Sequence, residues 1–285
     1  MAKIAYQGVE GAYSHIASVE QFGSQNTFVG VGDFSALFEE VTSRRVDFGV
    51  VPIENSLAGS VIENFDLLYK NQVYIIAERY LRIEHQLLGI SIEGEENESR
   101  TSQLTQVFSH PKALEQCLTF FKEHPSVQKM PYEDTAGAAK YVKQMGKKEW
   151  GAIASKQAAD LYGLSILKSN VEDNPNNWTR FVIIVPDKQD IVGKDESGIY
   201  KCSAIFTLQN RPGALYTILG YFAKENLNLT KIESRPIQGT QFEHFFYVDF
   251  EFTALQHELV HSVLDQLKEQ VNTLKVLGYY KKHTI

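Results

Sequence analysis

The chain has 285 residues, room for two domains, and its 43% hydrophobic and 22% charged residues are those of an ordinary globular protein. A formal net charge of −7 offers no basic surface to neutralise nucleic-acid phosphates, though a few local cations suffice for a small anionic substrate. Two cysteines far apart in the chain, Cys117 and Cys202, make no disulfide framework. No apolar run approaches the ~18 residues of a membrane span, and the opening MAKIAYQG enters a strand at once, so no membrane partner and a cytoplasmic location are expected.

Residues 3–6 form a short apolar strand that ends in a glycine-containing turn and gives way to a helix over 13–22. A strand over 27–31 follows, Asp33 caps a helix over 34–44, and a strand over 48–51 is stopped by Pro52. Ser60, with Glu63 three residues on, reads as a capping box opening a helix to residue 69. Residues 73–90 are β-rich without a helix, and the polar run 92–102 is a surface loop. The alternation resumes with a strand over 106–108, a helix over 111–123 and a strand over 127–131. A helix over 135–145, a strand over 151–154, a helix over 156–162 and a last strand over 181–185 complete it. Cys117 shares the apolar stripe of the 111–123 helix with Leu114, Leu118 and Phe121, the place of a buried thiol. Single helices between short strands imply parallel sheets with covered faces. The pattern reads as two α/β lobes, one of about 1–80 and 174–185, the other of about 81–173, with a cleft for a small ligand.

Residues 186–199 are polar, contain Pro and Gly, and read as a linker. Beyond it, strands over 200–208, 227–235, 243–251 and 274–281 and helices over 213–224 and 256–271 spell βαββαβ, a ferredoxin-like module over 200–285. Thr253 and Gln256 form a capping box for the second helix. In that helix His257-Glu-Leu-Val-His261 matches a zinc-protease pattern. The stripe of Leu255, Leu259, Val260, Val263, Leu264 and Leu267 leaves both histidines on the solvated face, and no third ligand follows, so no metal is expected. No dinucleotide fingerprint follows a strand, and the segment 8–11 lacks the lysine of a phosphate loop, so no cofactor is expected either. His85 and His110, at strand and loop ends, could serve as acid–base groups, but as isolated histidines they are read as structural.

Five polar clusters fall at strand ends, where α/β sheets bind ligands. They are Gly8-Val-Glu-Gly-Ala-Tyr-Ser14, whose helix N-terminus suits a carboxylate; Pro52-Ile-Glu-Asn-Ser56; Ser109-His-Pro with Gln116; Glu133-Asp-Thr-Ala136; and Asn177-Trp-Thr-Arg-Phe181. Singly each is a common cap or turn; together they point to one cleft.

These clusters, with His85-Gln-Leu-Leu88 and Glu172-Asp-Asn-Pro-Asn-Asn-Trp178, resemble the signatures of prephenate dehydratases. Asn210-Arg-Pro-Gly-Ala-Leu215 and Glu233-Ser-Arg-Pro236 resemble the two effector motifs of that family's ACT module, with Tyr216 a departure from the usual small aliphatic residue. The resemblance implies a two-lobed catalytic domain of the type II periplasmic-binding-protein kind over 1–185 and an ACT domain over 200–285. It implies a carbon–oxygen lyase that takes prephenate to phenylpyruvate, L-phenylalanine as effector, and a homodimer or homotetramer. Thr179 would serve the departing hydroxyl; an alcohol is a poor acid, so it donates a hydrogen bond or relays a proton, with Glu54 or Glu133 completing the relay. Arg180 is chosen for a substrate carboxylate because a guanidinium binds one bidentately. Ser14, Asn55, Ser56, Ser109, Gln116 and Thr135 would orient the substrate, and Phe181 would pack on the ring. Asn210, Pro212, Gly213, Ala214, Leu215, Glu233, Ser234 and Arg235 would bind the effector. Arogenate as substrate, and a non-catalytic two-lobed sensor, stand as alternatives.

Overall fold

The computed structural model describes residues 1–94, 96–189, 198–241 and 243–284. The chain begins β1 (Lys3–Gln7), α1 (Tyr13–Phe22), β2 (Thr27–Val31), α2 (Phe34–Thr42), β3 (Phe48–Asn55), β4 (Gly59–Ser60), α3 (Ile62–Lys70) and β5 (Tyr74–Arg82). It continues β6 (Gln86–Gly89), α4 (Asn97–Ser102), β7 (Gln106–Ser109), α5 (Pro111–Glu115), α6 (Leu118–Glu123), β8 (Gln128–Pro131) and α7 (Thr135–Met145). Then come β9 (Trp150–Ala154), α8 (Lys156–Tyr162), β10 (Ser165–Lys168) and β11 (Trp178–Val185). The last module holds β12 (Ile199–Thr207), α9 (Ala214–Lys224), β13 (Asn228–Pro236), β14 (His244–Thr253), a one-turn 3₁₀ helix, α10 (His257–Gln270) and β15 (Thr273–Lys281).

Three sheets result. The first runs β2-β1-β3-β11-β5 with β4 beside β3, so the returning strand β11 lies next to β3. The second runs β10-β6-β9-β7-β8. Its β7 is parallel to β8 and β9, while β6 is antiparallel to β9 and β10. The third, β13-β14-β12-β15, is the antiparallel sheet of a βαββαβ module. The α/β class and the ferredoxin-like end are therefore as the sequence implies. Packing divides the chain into two compact units: Met1–Leu37, Val50–Val61 and Tyr80–Phe181 in one, Phe38–Gly49, Ile62–Arg79 and Val182–Ile285 in the other.

Several local expectations change. Pro52 does not stop β3, because its φ suits extended backbone and costs only one ladder donor; the strand runs on to a hairpin pairing Glu54 with Ser60. Ser60 thus belongs to β4, and α3 starts at Ile62. The 92–102 loop contains α4. The helix over 111–123 is broken at Gln116–Cys117. There the Asp173 carboxylate accepts the amides of Leu118 and Thr119 at 2.8 Å each, supplying a second N-cap from a distant segment, and the Asp173 amide donates to the Gln116 carbonyl at 2.7 Å. Cys117 is buried as expected, but Leu118 is 40% exposed. Of the expected linker, residues 190–197 lie outside the described residues. No helix among the described residues is long and apolar enough to cross a membrane.

In the second unit α3 is packed into the module's sheet. Phe65 meets Tyr247 edge-on at 4.8 Å, and Tyr69 stacks on Phe245 at 4.5 Å. Asp66 accepts Nε and Nη2 of Arg235 at 3.2 and 3.1 Å, a bidentate pair. The Lys275 ammonium donates to the carbonyls of Leu68, at 2.8 Å, and Asn71, closing the C-terminal end of the helix; burial lowers its pKa to about 8. Lys201 pairs with Glu78 of β5 at 3.0 Å, both buried. At Gly278 of β15 an added Cβ would stand 2.1 Å from the Ile75 carbonyl, so only glycine permits this approach.

Candidate active site

A cavity of about 440 Å³ opens in the first unit, bounded by the ends of β3 and β11, the start of α1, and the segments that open α5 and α7. On β11 strand alternation turns Thr179 and Phe181 to the cavity, and the end of β3 adds Pro52 and Asn55. Asn55 ends its strand with Oδ1 accepting the amides of Leu57 and Ala58, at 3.0 and 2.8 Å, which fixes the orientation of its amide. Its Nδ2 then donates to Thr179 Oγ1 at 2.9 Å and to Asn177 Oδ1 at 2.7 Å. Thr179 therefore accepts from Asn55, and its own hydroxyl hydrogen is directed elsewhere.

The network continues inward. Asn177 Nδ2 donates to Gln116 Oε1 at 3.0 Å, and Gln116 Oε1 lies 2.9 Å from His85 Nε2. An oxygen that already accepts from Asn177 requires the proton on His85 Nε2. The His85 Nδ1 is left as an acceptor 2.9 Å from the Tyr13 hydroxyl, whose single hydrogen is shared between it and the Glu84 carbonyl at 2.7 Å. Burial lowers the pKa of His85 and raises that of Tyr13, so both are neutral at neutral pH. His110 lies on the wall too, its pKa likewise lowered by burial, beside Lys112.

Other walls are apolar or helix-borne. α1 starts without a side-chain cap, and Ser14, buried in its first turn, lines the cavity. α7 is capped by Asp134, which accepts the Gly137 amide at 2.6 Å and holds Glu133 and Thr135 at the rim. Val61, Ile83 and Phe181 supply the apolar part.

Among the residues expected from the sequence, Ser14, Asn55, Gln116, Glu133, Thr135, Thr179 and Phe181 meet at this cavity. Four do not line it. Arg180, 2% exposed, points to the opposite side of β11 from Thr179 and pairs with Glu54 at 3.2 Å. Arg180 is thus held in an ion pair with Glu54, and neither side chain lines this cavity. The Ser56 hydroxyl donates to the Asn176 carbonyl and accepts the Trp178 amide, each at 2.9 Å, splinting β3 to the returning chain. Ser109 is wholly buried and donates to the Ile153 carbonyl at 2.6 Å, joining β7 to β9. Tyr13, His85, His110 and Lys112, given no substrate role from the sequence, also lie on the wall, and Asn177, off the wall, reaches it through Gln116; the motif around His85 was the available signal.

In the βαββαβ module a second cavity, of about 540 Å³, is lined by Asn210, Ala214 and Leu215, with His244 and Phe246 opposite. Gly213 is the left-handed N-cap of α9, with φ 80°, and it and Pro212 lie off the lining. Glu233 stands 3.7 Å from Lys231, Ser234 is exposed on β13, and Arg235 is engaged by Asp66. His257 and His261 are half-buried rather than solvated. Their Nε2 atoms lie 3.2 Å apart, and both rings pack on Tyr279, while Leu255 is 88% exposed in the 3₁₀ turn. Among the described residues no group of three or more His, Cys, Asp or Glu side chains is placed to hold a metal.

The chain matches the family model described as "Prephenate dehydratase" over residues 4–189 and that of the "ACT domain" over 203–274. It is 37% identical over 292 residues to the arogenate dehydratase/prephenate dehydratase 1 of Arabidopsis thaliana, covering 98% of this chain and 71% of that one. Among solved structures it is similar to a prephenate dehydratase from Arthrobacter aurescens in complex with L-Phe, with TM-score 0.87 and 26% identity over 98% of this chain and 90% of that one. It is also similar to GqqA, described as a novel type of quorum quenching acylase, with TM-score 0.85 and 32% identity over 99% of this chain and 98% of that one.

Proposed function

The chain belongs to the prephenate dehydratase family, and we propose that it converts prephenate to phenylpyruvate at the Thr179 cavity under control of its ACT domain. The observation that carries this is the Asn55–Thr179 hydrogen bond. Prephenate loses CO2 and its ring hydroxyl together, and aromatisation drives the step. The electron pair of the C–CO2 bond enters the ring, the C–O bond breaks, and the hydroxyl leaves as water after gaining one proton. Because Thr179 accepts from Asn55, its hydrogen is presented to that hydroxyl as the C–O bond breaks. An alcohol cannot supply the proton unaided at neutral pH; Glu133 at the rim relays it from solvent.

The uncapped start of α1, with the Ser14 hydroxyl, takes the side-chain carboxylate. Lys112 adds a cation on the same wall. The ring carboxylate faces Val61, Ile83 and Phe181, where poor solvation favours losing CO2. Acyl transfer is less well supported. The partner of Thr179 Oγ1 is an amide nitrogen that donates, so no base sits there to activate the oxygen as a nucleophile.

Phenylalanine is the effector, bound at the cavity beside Asn210, Ala214 and Leu215, and two or four copies of the chain assemble in the cytoplasm. Grip on α3 supports a route for control, because α3 follows directly on Ser60 and Val61 of the catalytic wall. Purified protein given prephenate should produce the ultraviolet absorbance of phenylpyruvate; arogenate in a parallel incubation should yield phenylalanine more slowly. No turnover of either by folded protein would leave a binding protein instead.

A further inference from the structure

We propose that Asn177 is a positioning residue that aims the Thr179 proton. The inference rests on reading Thr179 as donor to the departing hydroxyl. Asn177 is wholly buried and sits two residues before Thr179, just ahead of β11. A buried amide must satisfy both its ends, and here each end settles a neighbour. Backbone amides of Leu57 and Ala58 occupy Asn55 Oδ1, so Asn55 can only present Nδ2 to the two residues of the returning chain. One Nδ2 hydrogen is held by Asn177 Oδ1 at 2.7 Å, and the other is thereby aimed at Thr179 Oγ1 at 2.9 Å.

Turning the Asn177 amide over would set its Nδ2 against Asn55 Nδ2, donor against donor, and its oxygen against Gln116 Oε1. The observed arrangement is thus the one in which all these groups are satisfied. Its consequence is directional: the Thr179 lone pair facing Asn55 is filled, and its hydrogen turns away from Asn55. Without the Asn177 acceptor, Asn55 is held through its oxygen alone and the Thr179 hydroxyl loses its fixed rotor. Substrate binding does not use that rotor, so the loss falls on kcat rather than KM.

The test compares Asn177→Leu, with the same branched skeleton but bulkier and without an acceptor, with Asn177→Asp, which still accepts from Asn55 but cannot donate to Gln116. Thr179→Val is assayed beside them with prephenate, and each variant is melted. Expected are a kcat lower by about ten- to a hundredfold for Asn177→Leu with KM within about threefold, and a kcat within about fivefold of wild type for Asn177→Asp. In Asn177→Asp, Gln116 must turn its Nε2 to the new carboxylate, which moves the His85 proton from Nε2 to Nδ1; ¹⁵N NMR of the ring reads this independently of activity. A folded Asn177→Leu with wild-type kcat beside an inactive Thr179→Val overturns the proposal. So does a folded Asn177→Asp as impaired as Asn177→Leu. If Asn177→Leu does not fold, Asn177→Asp decides: retained kcat with the shifted His85 proton supports the assignment, and lost kcat overturns it. An active Thr179→Val would instead remove the reading on which the inference stands.

Discussion

Arg180 and Glu54 meet at 3.2 Å on neighbouring strands, on the side of the sheet that Thr179 and Asn55 turn away from. The pair orders β11 against β3 beside the reacting groups and does not itself line the cavity. Arg180→Met leaves the Glu54 carboxylate one donor short. The expected cost is about 2–3 kcal/mol, below the ~3–5 of a fully buried pair because Glu54 keeps about a third of its exposure. Melting should shift while KM for prephenate stays within about threefold. A normal melt with KM raised more than about tenfold would return Arg180 to the substrate.

Thr179→Val keeps the side-chain shape and removes the hydroxyl. Turnover of prephenate should fall by roughly 10², the scale of a lost proton-transfer partner. A folded variant with near wild-type kcat would place the chemistry elsewhere.

His15, His85 and His110 all have pKa values lowered from 6.5 by burial. The unfolded chain therefore takes up these protons more readily than the folded one. Their contribution to stability is complete above pH 6.5 and is lost as pH falls below it, toward the lowered native values. The melting temperature should drop on acidification from 6.5, and His85→Gln should make that drop shallower. An unchanged slope in His85→Gln would mean that its burial does not govern the acid limb.

Asp66→Asn removes the charge that Arg235 grips, yet Asp66 lies outside the catalytic cavity and the effector motifs. Basal turnover should stay within about threefold, and the phenylalanine response should weaken by about fivefold or more, one end of a usual coupling energy. An undiminished response would remove α3 from the regulatory route.

Gly213→Ala tests the effector site. The position has φ 80° with open space where a Cβ would go, so the cost is backbone strain of about 1 kcal/mol rather than a clash. Calorimetry should show phenylalanine binding lost, with basal turnover nearly intact. Undiminished binding would move the site away from the start of α9.

The sequence determined much here because periodicity and end signals are local. The alternation of strand and helix, the βαββαβ order and the Thr253–Gln256 capping box all appear in the structure. The polar strand ends named the Thr179 cavity, since loops at strand ends converge whatever lies between. Local signals failed where a boundary was misplaced by a few residues. Starting β11 at 181 rather than at Trp178 hid the alternation that separates Arg180 from Thr179. They also failed where a distant segment intervenes. Asp173 breaks a helix that its own sequence would continue, and His85 and Asn177 meet through Gln116, 31 and 61 residues from it in the chain. The union of α3 with the C-terminal sheet is of the same kind: Asp66 and Arg235 are 169 residues apart, and each alone reads as an exposed charge. Tertiary structure decided these because a hydrogen bond or ion pair depends on distance in space, which no window along the chain contains.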